Sequence, residues 1–306
     1  MTDIKEFIGE DYVHSANSLF HFMSERKYLT DALKRKALCP RYCNEDVAYL
    51  SIHHNGVEFK EVSVLQKCFC DIPLQNIIKT FRVHLTENND LTEEQMKKIP
   101  SECSHPDLYG GYALSFSKKW GEENKLQPVH YLSQEADCTF QFSTMLNDVL
   151  MEENLPDSVS DALLNWLCFL KPLRGTMWPK LGIKGCDRIS CEIFKNFHDE
   201  HEWRFVPFDT VIDGSPLDCL IANGAVGSGF LRNMSDKIEE ERFKEAWLPF
   251  QFDDIRYIIV PDKAGRLEVI RAIQGLSDDL FADDVTLQRA MLISKILVLD
   301  DIMKDF

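Results

Sequence analysis

The sequence predicts an α+β fold, a mixed sheet core with helical insertions, and three observations carry that prediction. Segments with period-two alternation or β-branched and aromatic content, such as residues 110–117 and 255–260, are interleaved with helical segments without a regular βαβ spacing. One helical block near residues 139–171 interrupts the strand-rich parts. The chain has 306 residues, 44% of them apolar and 27% charged, which permits a sizeable core.

The elements follow in order. A short strand over residues 19–23 comes first, with His21 set between Phe20 and Phe22. A helix is predicted from Thr30, an N-cap before Asp31, with apolar Ala32, Leu33, Ala37 and Leu38 behind it. Residues 62–72 read as a buried strand ending at Pro73, where a helix can begin because proline is tolerated in a first turn. Residues 86–107, rich in Glu, Lys, Asn and Ser and closed by Pro100 and Pro106, form a polar insertion with one helix. Strands are expected at 110–117 and 128–132. Helices then span 139–171, with Phe142, Met145, Leu146, Val149 and Leu150 on one apolar face and Leu163, Leu164 and Leu167 on another after Pro156. Strands at 203–207 and 255–260 flank a Gly-rich loop at 223–229 and a charged helix at 235–247. A helix over 262–275 covers the last strand. After Gln274 seven aspartates stand against three basic residues, so residues 276–306 form an acidic helical tail whose apolar 292–299 face packs on the body or meets a partner. The expected organisation is one domain over residues 1–275, with the two insertions, and then the tail.

Lys plus Arg number 34 against 50 Asp plus Glu, a net charge of −16. That balance disfavours binding of nucleic acid or an anionic membrane over the whole surface and leaves a local basic groove for such partners. Residues 24–43 carry six positive charges and two negative ones. They form either a solvated helix face or a stripe that attracts the phosphates of a dinucleotide or a nucleic-acid strand. The apolar runs fall far short of the roughly 20 residues that span a bilayer. The opening MTDIKEFIGEDY lacks the basic-then-apolar order of a signal peptide, so a cytoplasmic protein with reduced thiols is expected. Of ten cysteines the close pairs are Cys39 with Cys43, Cys68 with Cys70, and Cys186 with Cys191; none is CxxC, and no metal site is expected. The common phosphate-loop, dinucleotide and hydrolase signatures are absent.

Four stretches concentrate polar groups at strands or their ends: Leu19–Phe22, Cys68–Leu74, Tyr109–Trp120 and His201–Phe205. His21 is either a satisfied core histidine or faces a cleft. Asp71 either caps the following helix or takes a chemical role. Gly110 and Gly111 make a turn or allow a flat ligand to approach the backbone. Glu202, beside Trp203 and Arg204 at a strand entrance, is either ion-paired with an arginine or poised in a pocket.

Six pieces in register resemble the AbiGi-type abortive phage resistance family. They are LFHF at Leu19 to Phe22, PRYC at Pro40 to Cys43, CFCDIPL at Cys68 to Leu74, YGGYALSFSKKWG at Tyr109 to Gly121, PVHYL at Pro128 to Leu132 and EHEWRFVP at Glu200 to Pro207. The resemblance covers roughly residues 18–262 and implies a bacterial phage-defence protein of the abortive infection or toxin–antitoxin type, commonly labelled an antitoxin. The 86–107 insertion and the acidic end after Asp262 are less typical of it.

The motif order is also similar to that of a distant ADP-ribosyltransferase, a family that places a His or Arg on a first strand, a Tyr or Ser on a second and a Glu on a later one around NAD. That likeness implies an ADP-ribosyltransferase-like mixed or antiparallel sheet, NAD as substrate without a metal, and catalytic roles for Glu202, His21 and Tyr112. It gathers His21, Phe22, Arg41, Phe69, Asp71, Tyr112, Ser115 and Trp120 around the NAD. In it Glu202 holds a ribose hydroxyl and stabilises the positive charge that develops as the nicotinamide bond breaks. Tyr112 stacks on nicotinamide, Phe69 and Trp120 wall the pocket, and Asp71 or Arg41 positions the acceptor or the phosphates. The implied acceptor is nucleic acid, RNA before DNA, or protein. The alternative expectation is a non-enzymatic antitoxin that binds and neutralises a partner toxin, its acidic surface mimicking nucleic acid or masking a basic partner.

Overall fold

The computed structural model describes residues 16–54, 56–152, 156–183, 187–222, 228–282 and 284–305. The opening twelve residues and positions 223–227 of the Gly-rich loop lie outside the described residues. Among the described residues nine strands form the main sheet: β1 (Ser18–Met23), β2 (Arg41–Asp46), β3 (Glu61–Cys70), β4 (Tyr112–Ser117), β5 (Gln127–Pro128), β6 (Glu202–Phe205), β7 (Leu220–Ala222), β8 (Ile255–Val260) and β9 (Ile296–Val298). Their order is β5–β6–β3–β1–β4–β8–β9, with β2 and β7 also paired to β3. Only β8 and β9 run parallel; every other pair is antiparallel. The class is α+β with a mixed sheet, as the irregular alternation of strand and helix signals predicts.

The longer helices are α1 (Arg26–Arg35), α2 (Asp137–Met151), α3 (Asp157–Leu167), α4 (Ser228–Ile238), α5 (Lys263–Gln274) and α6 (Val285–Ser294). Each covers the part of the sheet whose outward residues match its apolar stripe. Leu29 and Leu33 of α1, Val269 and Ile273 of α5, and Leu292 of α6 bury Leu19, Leu114, Ile258 and Val298. Leu146 and Leu167 of α2 and α3 pack on Val62 and Val64 of β3. Leu231 and Ile238 of α4 pack on Tyr42 and Leu65, which alternation along β2 and β3 turns the other way.

Two helices differ from the sequence expectation. The first begins at Arg26 rather than at Thr30, because Leu29 belongs to the buried stripe with Ala32 and Leu33. Thr30 is inside it, its hydroxyl donating to the Lys27 carbonyl at 2.9 Å. Lys36, at φ +50°, ends α1, and Ala37–Leu38 turn into a short strand against Leu248–Pro249. The charged helix expected over 235–247 is two pieces, α4 and a 3-10 turn at Glu241–Ala246. The helix over 262–275 starts as expected, with the Asp262 carboxylate accepting from the Gly265 amide at 2.8 Å. The strand expected at 128–132 divides at Val129: Gln127–Pro128 joins β6, and His130–Leu132 pairs in parallel with Leu170–Pro172.

Gly110 leads into β4 at φ +112°, and a Cβ there would lie 2.2 Å from the Met23 carbonyl oxygen. The backbone that approaches this glycine closely is therefore the chain's own, at the end of β1. Gly110→Ala adds both a disfavoured φ and a clash with main chain that cannot swing aside. It is expected to lower stability by about 2 kcal/mol in urea titration; an unchanged midpoint would show that β1 can shift without cost.

Candidate functional site

The site grows from the pairing of β3. Gln66 is the last β3 residue matched to β2, and Cys70 is the one matched to β1. Lys67, Cys68 and Phe69, between them, pair only with Phe205, Arg204 and Trp203 of β6. One side of β3 is thus left without a strand neighbour for three residues. His21 reaches across this opening, its Nδ1–H donating to the Cys68 carbonyl at 2.8 Å. The opening leads into a cavity of about 810 Å³, walled among others by His21, Phe22, Lys67, Phe69, His105, Tyr109, Lys171 and Glu202. That volume lies within the few hundred to one thousand Å³ of small-molecule sites.

One wall is a closed network of buried charges. Glu202 Oε1 accepts from Arg204 Nε at 2.7 Å, and its Oε2 accepts from Lys171 Nζ at 2.8 Å. Arg204, with no exposed surface, also pairs with Glu45 at 2.9 Å and donates to the Cys168 carbonyl at 2.8 Å. Lys171 bridges on to Glu200 at 3.2 Å, which takes further hydrogen bonds from Lys195 and the Tyr109 hydroxyl. The Glu202 amide donates to the Tyr131 hydroxyl oxygen at 2.8 Å. Three carboxylates meet three cations, so the network is neutral as a whole.

The electrostatics follow from that pairing. Burial alone would raise the Glu202 carboxyl, but Arg204 and Lys171 outweigh it and hold the group well below the usual carboxylate range. Glu200 is likewise held at about 2 against its burial by Lys171 and Lys195. Burial, aided by Lys67, lowers His21 to about 3 in spite of the Cys68 hydrogen bond. Burial also lowers His105 to about 3. At neutral pH both imidazoles are uncharged, and His21 keeps Nε2 as an acceptor because Nδ1 carries the proton.

Of the residues singled out in the sequence, Glu202, His21, Phe22, Arg41 and Phe69 line this cavity. Register puts Glu202 and Phe22 on the sheet face of Phe20 and Cys70, and His21 on that of Leu19 and Leu114. The opening in β3 is what lets both faces meet one cavity. Arg41 is tied at 2.8 Å to both Asp236 and Glu239 of α4 and its following turn. Tyr112, Ser115, Asp71 and Trp120 lie outside the cavity. Tyr112 is opposite Met23 and packs on the α1–α5 core, with its hydroxyl beside Gly265. Ser115 is fully buried with no partner for its hydroxyl. Asp71 accepts from the Ala16 amide at 2.8 Å and pairs with Lys118 at 2.5 Å, and it caps no helix. Trp120 stacks on Phe116 at 4.0 Å in the core.

Sequence reasoning missed Glu200, Tyr109, His105, Lys171 and Glu45. Glu200 and Tyr109 each open a motif already noted, but the strand expected over 203–207 begins after Glu200, so no alternation argument reached it. What aims it is His201, whose φ of +44° follows a 3-10 turn over Phe197–Glu200 and brings both carboxylates onto Lys171. His105 and Tyr109 bracket a short helix, His105–Tyr109, and their rings meet at a tilt with centroids 4.6 Å apart, while His105 meets Phe22 edge-on at 4.9 Å. Lys171 and Glu45 carry no local signal at all.

Comparison with known proteins places this chain in a defence family. The family model described as "Putative abortive phage resistance protein AbiGi, antitoxin" matches residues 97–261, more than half of the chain. The chain belongs to the AbiGi family of abortive phage resistance proteins. An abortive phage resistance protein AbiGi from Lactococcus lactis subsp. cremoris is 31% identical over 279 residues, covering 88% of this chain and 100% of that protein. No solved structure matches the chain. No helix among the described residues is long and apolar enough to cross a membrane.

Proposed function

We propose that the chain serves phage resistance as an ADP-ribosyltransferase that binds NAD in the β3 cleft and transfers ADP-ribose to nucleic acid, RNA first among the acceptors. The observation that supports this reading is the ionised, rigidly held Glu202 carboxylate in the wall of an aromatic-lined cavity of about 810 Å³. Arg204 Nε donates to Oε1, and a carboxylate oxygen has a second lone pair with which to accept a ribose hydroxyl. When the bond from ribose C1′ to the nicotinamide nitrogen breaks, the electron pair leaves with neutral nicotinamide and positive charge develops at C1′. A carboxylate that stays ionised stabilises that charge, and its fixed position spares reorganisation. The acceptor nucleophile then bonds to C1′ and releases its proton to water. Phe22, His105 and Tyr109 form the aromatic side against which a flat ring packs.

The test is incubation of purified protein with adenylate-labelled NAD and separate RNA, DNA and protein fractions, alongside Glu202→Gln and His21→Asn. Label is expected in the RNA fraction and is expected to fall at least about 100-fold in Glu202→Gln, the scale of losing one stabilising group in a transition state. His21→Asn keeps a donor for Cys68 and serves as the second, milder variant. A folded wild type that transfers no label to any fraction sinks the transferase.

A second reading is favoured by the antitoxin wording of the family description and by the net charge of −16. In it the chain neutralises a partner toxin by surface contact, without turnover. That reading expects a folded Glu202→Gln protein to protect cells from the partner as well as the wild type does.

A further inference from the structure

The geometry points to Lys67 as the seat of a phosphoanhydride or phosphate group of the ligand that enters the β3 cleft. It deepens the nucleotide reading above, and it rests on that reading only for what the phosphate carries.

Lys67 sits in the unpaired stretch of β3, half-buried, with its side chain in the wall of the cavity. Its charge interacts with the thiols of Cys39, Cys43 and Cys68 and with the Arg41 guanidinium. On the opposite side of the opening stands His21, which feels the Lys67 charge and is itself neutral. The thiols are held in the protonated form, since burial pushes Cys39, Cys43 and Cys68 upward. Among the described residues no carboxylate lies within 4.0 Å of Lys67, whereas the other cations of the cavity are already engaged. Lys171 is held by Glu200 and Glu202, Arg41 by Asp236 and Glu239, and Lys60 lies 3.9 Å from Glu58. A desolvated ammonium facing thiols and a second cation is costly to the fold, and an anion from outside removes that cost.

The backbone adds a donor at the same place. The Cys68 carbonyl points out of β3 into the opening, where it meets His21. In an extended strand the amide N–H of a residue projects to the same side as its carbonyl, so Cys68 also offers an N–H beside Lys67. One cation plus one main-chain donor on a sheet opening suits a phosphate oxygen. The far wall, with Glu200 and Glu202, repels such an anion. The cavity is therefore polarised end to end, which orients a ligand with one phosphorylated and one neutral part.

Calorimetric titration of the full chain at low and high salt, with inorganic pyrophosphate, ADP and uncharged adenosine, tests the assignment. ADP is expected to bind at least about tenfold more tightly than adenosine at low salt, with the difference shrinking as salt rises. Lys67→Met is expected to erase the difference and the pyrophosphate binding while leaving adenosine unchanged; Lys67→Arg is expected to retain both. Because the methionine removes an uncompensated charge, its Tm should equal or exceed that of the wild type. Equal binding of ADP and adenosine, no binding of pyrophosphate or ADP, undiminished ADP binding by Lys67→Met, or a Tm that falls together with binding would each overturn the site. The two readings separate cleanly. ADP binding that needs Lys67, without any ADP-ribose transfer from NAD, removes the transferase and keeps the site. Transfer with a KM for NAD unchanged in Lys67→Met removes the site and keeps the transferase.

Discussion

Replacing Arg204 with methionine is expected to destabilise the fold by about 3–5 kcal/mol, the range for breaking a buried ion pair from one side. Arg204 has no exposed surface and is the hub on which Glu202 and Glu45 converge. Methionine fills much of the volume but strands both carboxylates in a low-dielectric wall. Glu202 retains Lys171 at 2.8 Å, and Glu45 retains the Gln66 amide at 2.6 Å. Neither partner replaces the guanidinium, and the Cys168 carbonyl loses its donor as well. The urea midpoint measures the loss. A companion change, Glu202→Gln, removes one of the stranded charges, so the double variant should be more stable than the sum of the two single losses predicts. A loss below about 1 kcal/mol in Arg204→Met would mean that the carboxylates find water or protons at little expense, as surface pairs do, and that the wall is not a closed network.

That network also marks where sequence reading stops. The strands were legible from period-two alternation at Tyr112–Ser117 and from β-branched and aromatic content at Ile255–Val260. The start of α1 was not, since Leu29 lies ahead of Thr30 and a threonine hydroxyl bonds a preceding carbonyl as readily as it caps. Glu202, beside Arg204 at a strand entrance, was legible as a carboxylate either paired with an arginine or poised in a pocket. What closes the network around it is Lys171, about thirty positions earlier, and Glu45, on a strand that meets β3 from elsewhere. Such contacts are set by register, which no local pattern encodes. Tyr112 illustrates the converse. Its place in a glycine-rich motif drew it toward the ligand, whereas pairing with Met23 turns it onto the helix-covered core.

Acid should undo this structure from near pH 6.5 downward, before the carboxylates begin to titrate. His21 and His105 take up a proton only near pH 3 in the folded chain, because burial disfavours their charged forms. The unfolded chain binds those protons below about pH 6.5. Both groups have depressed folded values, so the stability they support is complete above about pH 6.5 and is lost as the pH falls toward 3. Glu200, held at about 2, acts in the same direction in a lower window, from the ordinary glutamate range near 4.5 down to 2. The urea midpoint is therefore expected to be level from pH 8 to 7, to decline through pH 6 and 5, and to fall more steeply below 4.5. In His21→Asn the first segment of the decline should be shallower, by the share of one imidazole out of two, while the steep segment remains. A midpoint that stays level from pH 8 to 5 would mean that water reaches both rings and that they titrate as free imidazoles. Lys67 would then face a solvated opening, its ammonium no longer desolvated. The same curve thus weighs the electrostatic premise of the cleft, a neutral His21 beside an uncompensated cation, without requiring any ligand.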